Sequence, residues 1–165
     1  MNIVFCPVCH NQIKLKTYVN SFLEPKEKQK ILNRIIFDYE CPECGETMCT
    51  KHHIVYHDVK NKAIVCYKPD GFKEIEKIKE KIQLFQYSIV NTVDEFIEQI
   101  MILDAGLDNY TVNLLKRDFY EKIKEKRKIS INNIFFFVEA GILFFHCIYD
   151  DNDDEICEIG GVFYG

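Results

Sequence analysis

The sequence has no run of ~20 uninterrupted apolar residues, the length that a membrane-spanning helix requires. Its longest candidate, Ile134 to Ile148, is broken by Glu139, Gly141 and His146 and reads as two strands. Seven glycines and four prolines leave no flexible linker or low-complexity tail. The basic excess of a non-specific DNA binder is missing too, because the formal net charge is −5. No phosphate-binding glycine loop and no nucleophile–base pair appear, which leaves most enzyme classes without support. Met1 to Phe5 run straight into a cysteine loop and lack the basic head and apolar core of a signal peptide. Cytoplasmic residence is therefore expected.

What the chain does have is cysteine. Eight of its 165 residues are cysteines, and in a reducing compartment they argue for metal and buried thiols rather than disulfides. Four of them form two C-P-x-C units, Cys6-Pro7-Val8-Cys9 and Cys41-Pro42-Glu43-Cys44. Two such pairs point to one tetrahedral Cys₄ site for zinc, with Cys6, Cys9, Cys41 and Cys44 as ligands. The competing readings are buried free thiols, or a redox pair. Redox use requires the first cysteine at a helix N-terminus, where the dipole lowers its pKa, and both loops here lead into strand-like sequence. Iron in place of zinc stays open. Residues 10–40 separate the pairs, more than the ~15–20 of a minimal ribbon, and an inserted helix accounts for the excess.

The hydrophobic fraction of 47% and 13 phenylalanines suffice for a real core in one domain or two small units. Ile13, Leu15, Thr17 and Val19 alternate with Gln12, Lys14, Lys16 and Tyr18, so the first loop is the tip of a hairpin. The residue after each unit, His10 or Gly45, is expected at φ > 0. Pro25 opens a short helix to Asn33, Ile35 to Tyr39 enters the second knuckle, and Thr47 to Thr50 leaves it. Ile54 to His57 and Ala63 to Tyr67 form a hairpin around a polar turn. Lys68-Pro69-Asp70-Gly71 marks a boundary, dividing the chain into residues 1–70 and 71–165. Beyond it, Phe72, Ile75, Ile78, Ile82 and Phe85 fall at helical spacing, and Tyr87 to Val90 suits a strand. Thr92 and Glu95 form a capping box for a helix ending at Gly106, and Asp108 caps another to about Lys128. Ile129 to Val138, Ile142 to Tyr149 and Ile156 to Tyr164 read as three antiparallel strands. The expected fold is α+β: N-terminal zinc-ribbon-like hairpins with an inserted short helix, then helices packed on a C-terminal three-stranded antiparallel sheet.

With these motifs placed, the first 70 residues resemble the CpXC family, a bacterial and archaeal family named for its two C-P-x-C motifs. The resemblance is carried by Cys6-Pro7-Val8-Cys9, Cys41-Pro42-Glu43-Cys44-Gly45 and Tyr56-His57-Asp58 with the later Pro69. Ile102 to Asp108 and Leu114-Leu115-Lys116 also resemble the segment beyond this region in longer relatives, whereas the last 35 residues carry no such motif. The resemblance implies a zinc-ribbon-like fold and no activity. One departure is His10, where glycine is usual, and it raises the question of whether His10 adjusts the metal environment.

Other clusters have plainer readings. Cys49, His52, His53 and His57 match no metal spacing, and His52 and His53 fall on opposite faces of an extended chain. His57 with Asp58 is conceivable as a catalytic pair in a cleft; a turn capped by Asp58 is the simpler reading. Cys66, Cys147 and Cys157 suit core thiols. The basic run Lys116, Arg117, Lys122, Lys124, Lys126, Arg127 and Lys128 suits a solvated helix face, diluted by Asp118, Glu121 and Glu125, or a nucleic-acid contact. The Asp150 to Glu155 cluster lacks the glycine and distal glutamate of an EF-hand and reads as a hairpin tip. Phe135-Phe136-Phe137 and Phe144-Phe145 pack on both faces of their sheet; a face left uncovered becomes a surface for another chain. The expected function is that of a non-catalytic, zinc-stabilised module, its partner another protein or a second copy, with no membrane association.

Overall fold

The computed structural model describes residues 2–69, 85–126, 131–150 and 153–159. They divide between two compact units, Met1–Ile97 and Glu98–Gly165.

In the first unit, β1 (Asn2–Phe5) and β2 (Gln12–Leu15) form an antiparallel hairpin in which Phe5 lies opposite Gln12. Ile13 and Leu15 are buried while Gln12 and Lys14 are not, as the two-residue period requires. β3 (Tyr18–Asn20) comes next, and then α1 (Pro25–Leu32), which starts on proline and buries Ile31. Arg34 (φ 64°) turns the chain out of the helix. The strand expected over Ile35 to Tyr39 begins only at Asp38, because Ile35–Phe37 form a 3₁₀ turn. Ile36 and Phe37 are both buried, and consecutive strand residues cannot share a face. β4 (Asp38–Glu40) then pairs antiparallel with β5 (Thr47–Cys49) around the second knuckle.

β6 (Ile54–Asp58) and β7 (Ala63–Tyr67) make the expected hairpin, but it does not stand alone. β3 joins β6 in parallel, and β8 (Gln86–Val90) joins β7 in parallel, giving a mixed sheet of order β3-β6-β7-β8. Val19, Ile54, Tyr56, Val65 and Tyr67 are buried on one face, and Tyr67 packs against the rings of Phe37 and Phe96. The helical pattern expected from Phe72 lies, apart from Phe85, outside the described residues, as do Asp70 and Gly71 of the expected boundary.

The division between units falls inside α2 (Val93–Asp104). Its capping box forms as expected: Thr92 Oγ1 accepts the Glu95 N–H (3.2 Å), and Glu95 Oε2 accepts the Thr92 N–H (3.1 Å). Gly106 (φ 66°) lies just past its end. Asp108 caps α3 (Asn109–Lys126), accepting the Thr111 N–H at 2.8 Å.

In the second unit, β9 (Ile131–Glu139), β10 (Ile142–Tyr149) and β11 (Asp154–Glu158) form an antiparallel sheet of order β11-β10-β9. Ala140 (φ 50°) and Gly141 (φ 80°) provide the left-handed pair that a two-residue hairpin turn demands. β11 begins at Asp154, so Asp154 and Glu155 belong to the strand rather than the turn: Asp154 pairs with Ile148. One face of the sheet carries Phe136, Leu143, Phe145, Cys147 and Tyr149, packed with Val112, Leu115, Phe119 and Ile123 of α3. The architecture is α+β, with N-terminal hairpins and a C-terminal three-stranded sheet backed by helices.

Glu98 is a buried charge in this unit, 7% exposed. It pairs with Lys116 of α3 and accepts the N–H of Phe136 in β9. Phe136 lies opposite Phe145 across the β9–β10 pair. Among the described strands β9 is an edge, and Glu98 accepts the Phe136 amide on its outer side.

Candidate metal centre

Each C-P-x-C unit closes a tight hairpin tip, and the two tips are built alike. In the first, the Cys6 N–H donates to the Asn11 carbonyl (2.9 Å) and the His10 N–H to the Cys6 carbonyl (3.0 Å). In the second, the Cys41 N–H donates to Glu46 (2.8 Å) and the Gly45 N–H to Cys41 (2.9 Å). Both closing residues adopt the expected left-handed conformation, His10 at φ 60° and Gly45 at φ 73°. A Cβ on Gly45 would meet nothing within 4 Å, so glycine serves the backbone angle there and not a close approach.

The first cysteine of each tip, Cys6 or Cys41, is buried, and the second, Cys9 or Cys44, is exposed. The tips meet crosswise. Cys6 Sγ lies 3.6 Å from Cys44 Sγ, and Cys9 Sγ lies 3.5 Å from Cys41 Sγ. All four sulfurs fall within 4.8 Å of one another, close enough to hold one metal ion. A disulfide needs sulfurs about 2.05 Å apart. A tetrahedral ion with metal–sulfur bonds of about 2.3 Å places its sulfurs about 3.8 Å apart. The cross-knuckle spacings match the second arrangement, so the donor set fits a tetrahedral thiophilic ion.

Electrostatics within the cluster give the same picture. The Cys9 amide, helped by that of Val8, outweighs burial and lowers the Cys6 thiol to about 7. At Cys44 the Glu46 amide favours the thiolate, but burial and the sulfurs of Cys9, Cys6 and Cys41 push the thiol up to about 12. At Cys9 the Asn11 amide favours the thiolate; burial and Cys41 reverse this, and the pKa is raised. One thiolate forms readily and the last forms only with difficulty, so four ionised sulfurs require a cation among them.

The family model described as CpXC protein matches residues 4–116, more than half the chain. The chain belongs to the CpXC family. The match begins just before the first knuckle, includes both, and ends in α3. Searches of curated proteins and of solved structures returned no match.

The other candidates of this CpXC chain do not join the cluster, and among the described residues the four cysteines are the only group placed to ligate a metal. Cys49 is exposed on β5. His52 is buried against Phe37 and Tyr39, and its Nε2–H donates to the Lys16 carbonyl at 2.8 Å. His53 is half-buried, and burial, with the charges of His52 and Lys68, lowers its pKa. Asp58 accepts the Asn61 N–H (3.0 Å) and side-chain amide (3.1 Å), capping the β6–β7 turn. His57 lies on the opposite face of β6, where Nδ1 meets the Tyr18 hydroxyl at 2.8 Å and the ring meets Phe85. Neighbouring strand residues point apart, so the two do not form a catalytic pair.

Of the basic run, Lys116 is held by Glu98, Arg117 lies 3.7 Å from Asp118, and Lys124 sits over the Tyr120 ring. Arg127 and Lys128 lie outside the described residues. In the acidic hairpin, Asp154 pairs with His146 (2.8 Å) and Glu155 accepts the Tyr149 hydroxyl (2.9 Å), while Asp151 and Asn152 are not described. Glu98 escaped the sequence reading because a glutamate in an amphipathic helix ordinarily faces water. Only its partners, half-buried Lys116 and the buried amide of Phe136, reveal its role. No described helix is long and apolar enough to cross a membrane.

Proposed function

We propose that this CpXC chain is a non-catalytic, intracellular zinc protein in which Cys6, Cys9, Cys41 and Cys44 hold one structural ion and the fold presents a surface to another protein. The observation that carries this reading is the crosswise meeting of the two knuckles, with sulfur spacings of 3.5 and 3.6 Å. Four thiolates fill a tetrahedral shell and leave no position for substrate, so the ion would hold the fold rather than activate water. Binding of about 10–16 kcal/mol, as in zinc-finger peptides, exceeds what two short hairpins gain by packing. Soft thiolates favour zinc or iron over magnesium or calcium.

Elemental analysis of the purified protein tests the metal, with one zinc per chain expected. A Co²⁺-substituted form should show the ligand-field spectrum of a tetrahedral four-sulfur site. Iron in stoichiometric amount would replace the zinc assignment, and metal-free protein with ordered knuckles would remove the structural role. The interaction half rests on the second unit, where a half-buried aromatic face with Ile156 exposed lies outside the buried cluster of the described residues.

A further inference from the structure

The C-terminal sheet is apolar on both faces, and among the described residues its buried cluster lies on one. The face carrying Phe136, Leu143, Phe145, Cys147 and Tyr149 packs with the helices. The strand registers place Phe135 and Phe137 of β9, Phe144 and Ile148 of β10 and Ile156 of β11 together on the other. None of these five belongs to the buried cluster of described residues: Phe135, Phe137, Phe144 and Ile148 are half-buried and Ile156 is exposed. Phe137 stacks on Phe144 with ring centroids 5.1 Å apart, and Ile156 is 60% exposed. Asp154 and Glu158 flank Ile156 on the same side of β11 and form an acidic rim along one edge. His146, in the middle of the face, is bonded to Asp154.

Size and charge select the occupant. Strands of nine, eight and five residues, about 30, 27 and 17 Å long and about 4.8 Å apart, give a face of roughly 350 Å². A second copy packed face to face would thus bury about half of the ~800 Å² per partner of a stable interface. One α-helix about 10 Å across and 18 residues long spans the same ~27 Å. The chain's own α3 has that length and serves the opposite face of these strands. The rim adds a polarity requirement, since a helix on this face would set one flank against two carboxylates about 13 Å apart.

We propose that this face docks an amphipathic α-helix of another protein, with an apolar stripe and lysines or arginines along one flank two to three turns apart. This rests on the reading of the chain as an interaction module, and it names the class of partner.

The chain has no tryptophan, so a tryptophan in a peptide's apolar stripe gives a fluorescence signal from the peptide alone. The probes are two synthetic 18-residue helical peptides with the same leucine stripe, one with a lysine flank and one with a glutamate flank. Each is titrated into the full-length, metal-loaded protein. The expected result is a Kd on the order of 10 µM for the lysine peptide and about tenfold weaker binding of the glutamate peptide. The double substitution Asp154→Lys, Glu158→Lys should reverse that preference. Ile156→Ser, at an exposed position that need not disturb the fold, should weaken both peptides. Equal binding of the two peptides, or a preference that survives the charge reversal, overturns the proposal. Sedimentation of the unliganded protein separates the remaining cases. Self-association abolished by Ile156→Ser would make a second copy the occupant, sinking the helix but keeping the interaction module. Neither peptide binding nor face-dependent association would remove both.

Discussion

The knuckle pair and the second unit solve the problem of making a core by different means. The mixed sheet of the first unit buries Tyr56, Tyr67 and Phe96 much as the second unit buries its aromatics. Around the knuckles, the buried cluster consists of Cys6, Ile13, Leu15 and Cys41, with Val4, Tyr39 and Met48 beside it. Half of its fully buried members are cysteines of the metal centre. The second unit gathers eight buried residues, among them Phe136, Phe145 and Tyr149, around a sheet and helices. Hydrocarbon burial contributes about 25 cal/mol per Å², and the knuckle cluster has little area to bury. A centre held by thiolates replaces area with a few strong bonds. The lesson is that sensitivity should separate by cause: the knuckles at the front should respond to metal, thiol chemistry and pH, and the second unit at the back to side-chain volume.

The largest effect tests that separation directly. Cys41→Ser should abolish zinc stoichiometry and unfold the knuckle hairpins, removing stabilisation on the order of 10 kcal/mol. Amide exchange should show α3 and β9–β11 still protected. A mutant that retains one zinc and a native melt would erase the contrast.

Its pH counterpart sets Cys44 of the metal-free protein, which loses its contribution at high pH, against the metal-loaded site, which is lost at low pH. Cys44 in the metal-free protein has its pKa raised from 9.0 to about 12, so that group favours the fold below pH 9 and loses its contribution as pH rises through 12. Cys6, lowered to about 7, acts in the opposite sense and loses its contribution as pH falls through 7. With metal bound, all four sulfurs are thiolates and protons compete with the ion, so the loaded front should be lost on acidification. Melting curves of loaded and metal-free protein from pH 5 to about 12 check both directions.

In the second unit, Phe145→Ala leaves a void at a fully buried position and should cost about 3–5 kcal/mol with zinc content unchanged. Glu98→Gln should cost less, about 2–3 kcal/mol, because Lys116 retains some access to water once its partner is neutral. Chemical denaturation of both variants, with metal analysis alongside, would show whether the back fails independently of the front.

The smallest expected change is a gain. His10→Gly should relieve the left-handed strain at φ 60° and stabilise the first knuckle by about 1 kcal/mol. A lowered metal affinity in that variant would instead assign the imidazole a part in the site.

Much of this was readable along the chain because it is local. The backbone angles at His10 and Gly45, the Thr92–Glu95 box and the Asp108 cap depend on residues within a few positions. Strand alternation and the two C-P-x-C spacings likewise announce hairpins with sulfurs at their tips. The 3₁₀ turn at Ile35–Phe37 departed from its expected strand because a core elsewhere required two consecutive residues on one side.

What tertiary structure alone decided involves groups far apart in sequence. Sequence could pair the knuckles but not show that Cys6 faces Cys44 and Cys9 faces Cys41. Nor could it place β3 and β8 parallel to the central hairpin, since no short turn encodes a parallel pairing. The burial of Glu98 against Lys116 and Phe136, and the choice of which aromatic face the helices cover, arise from long-range packing. A glutamate or a phenylalanine carries the same local preference wherever it lands, and only the surrounding fold determines whether it meets protein or solvent.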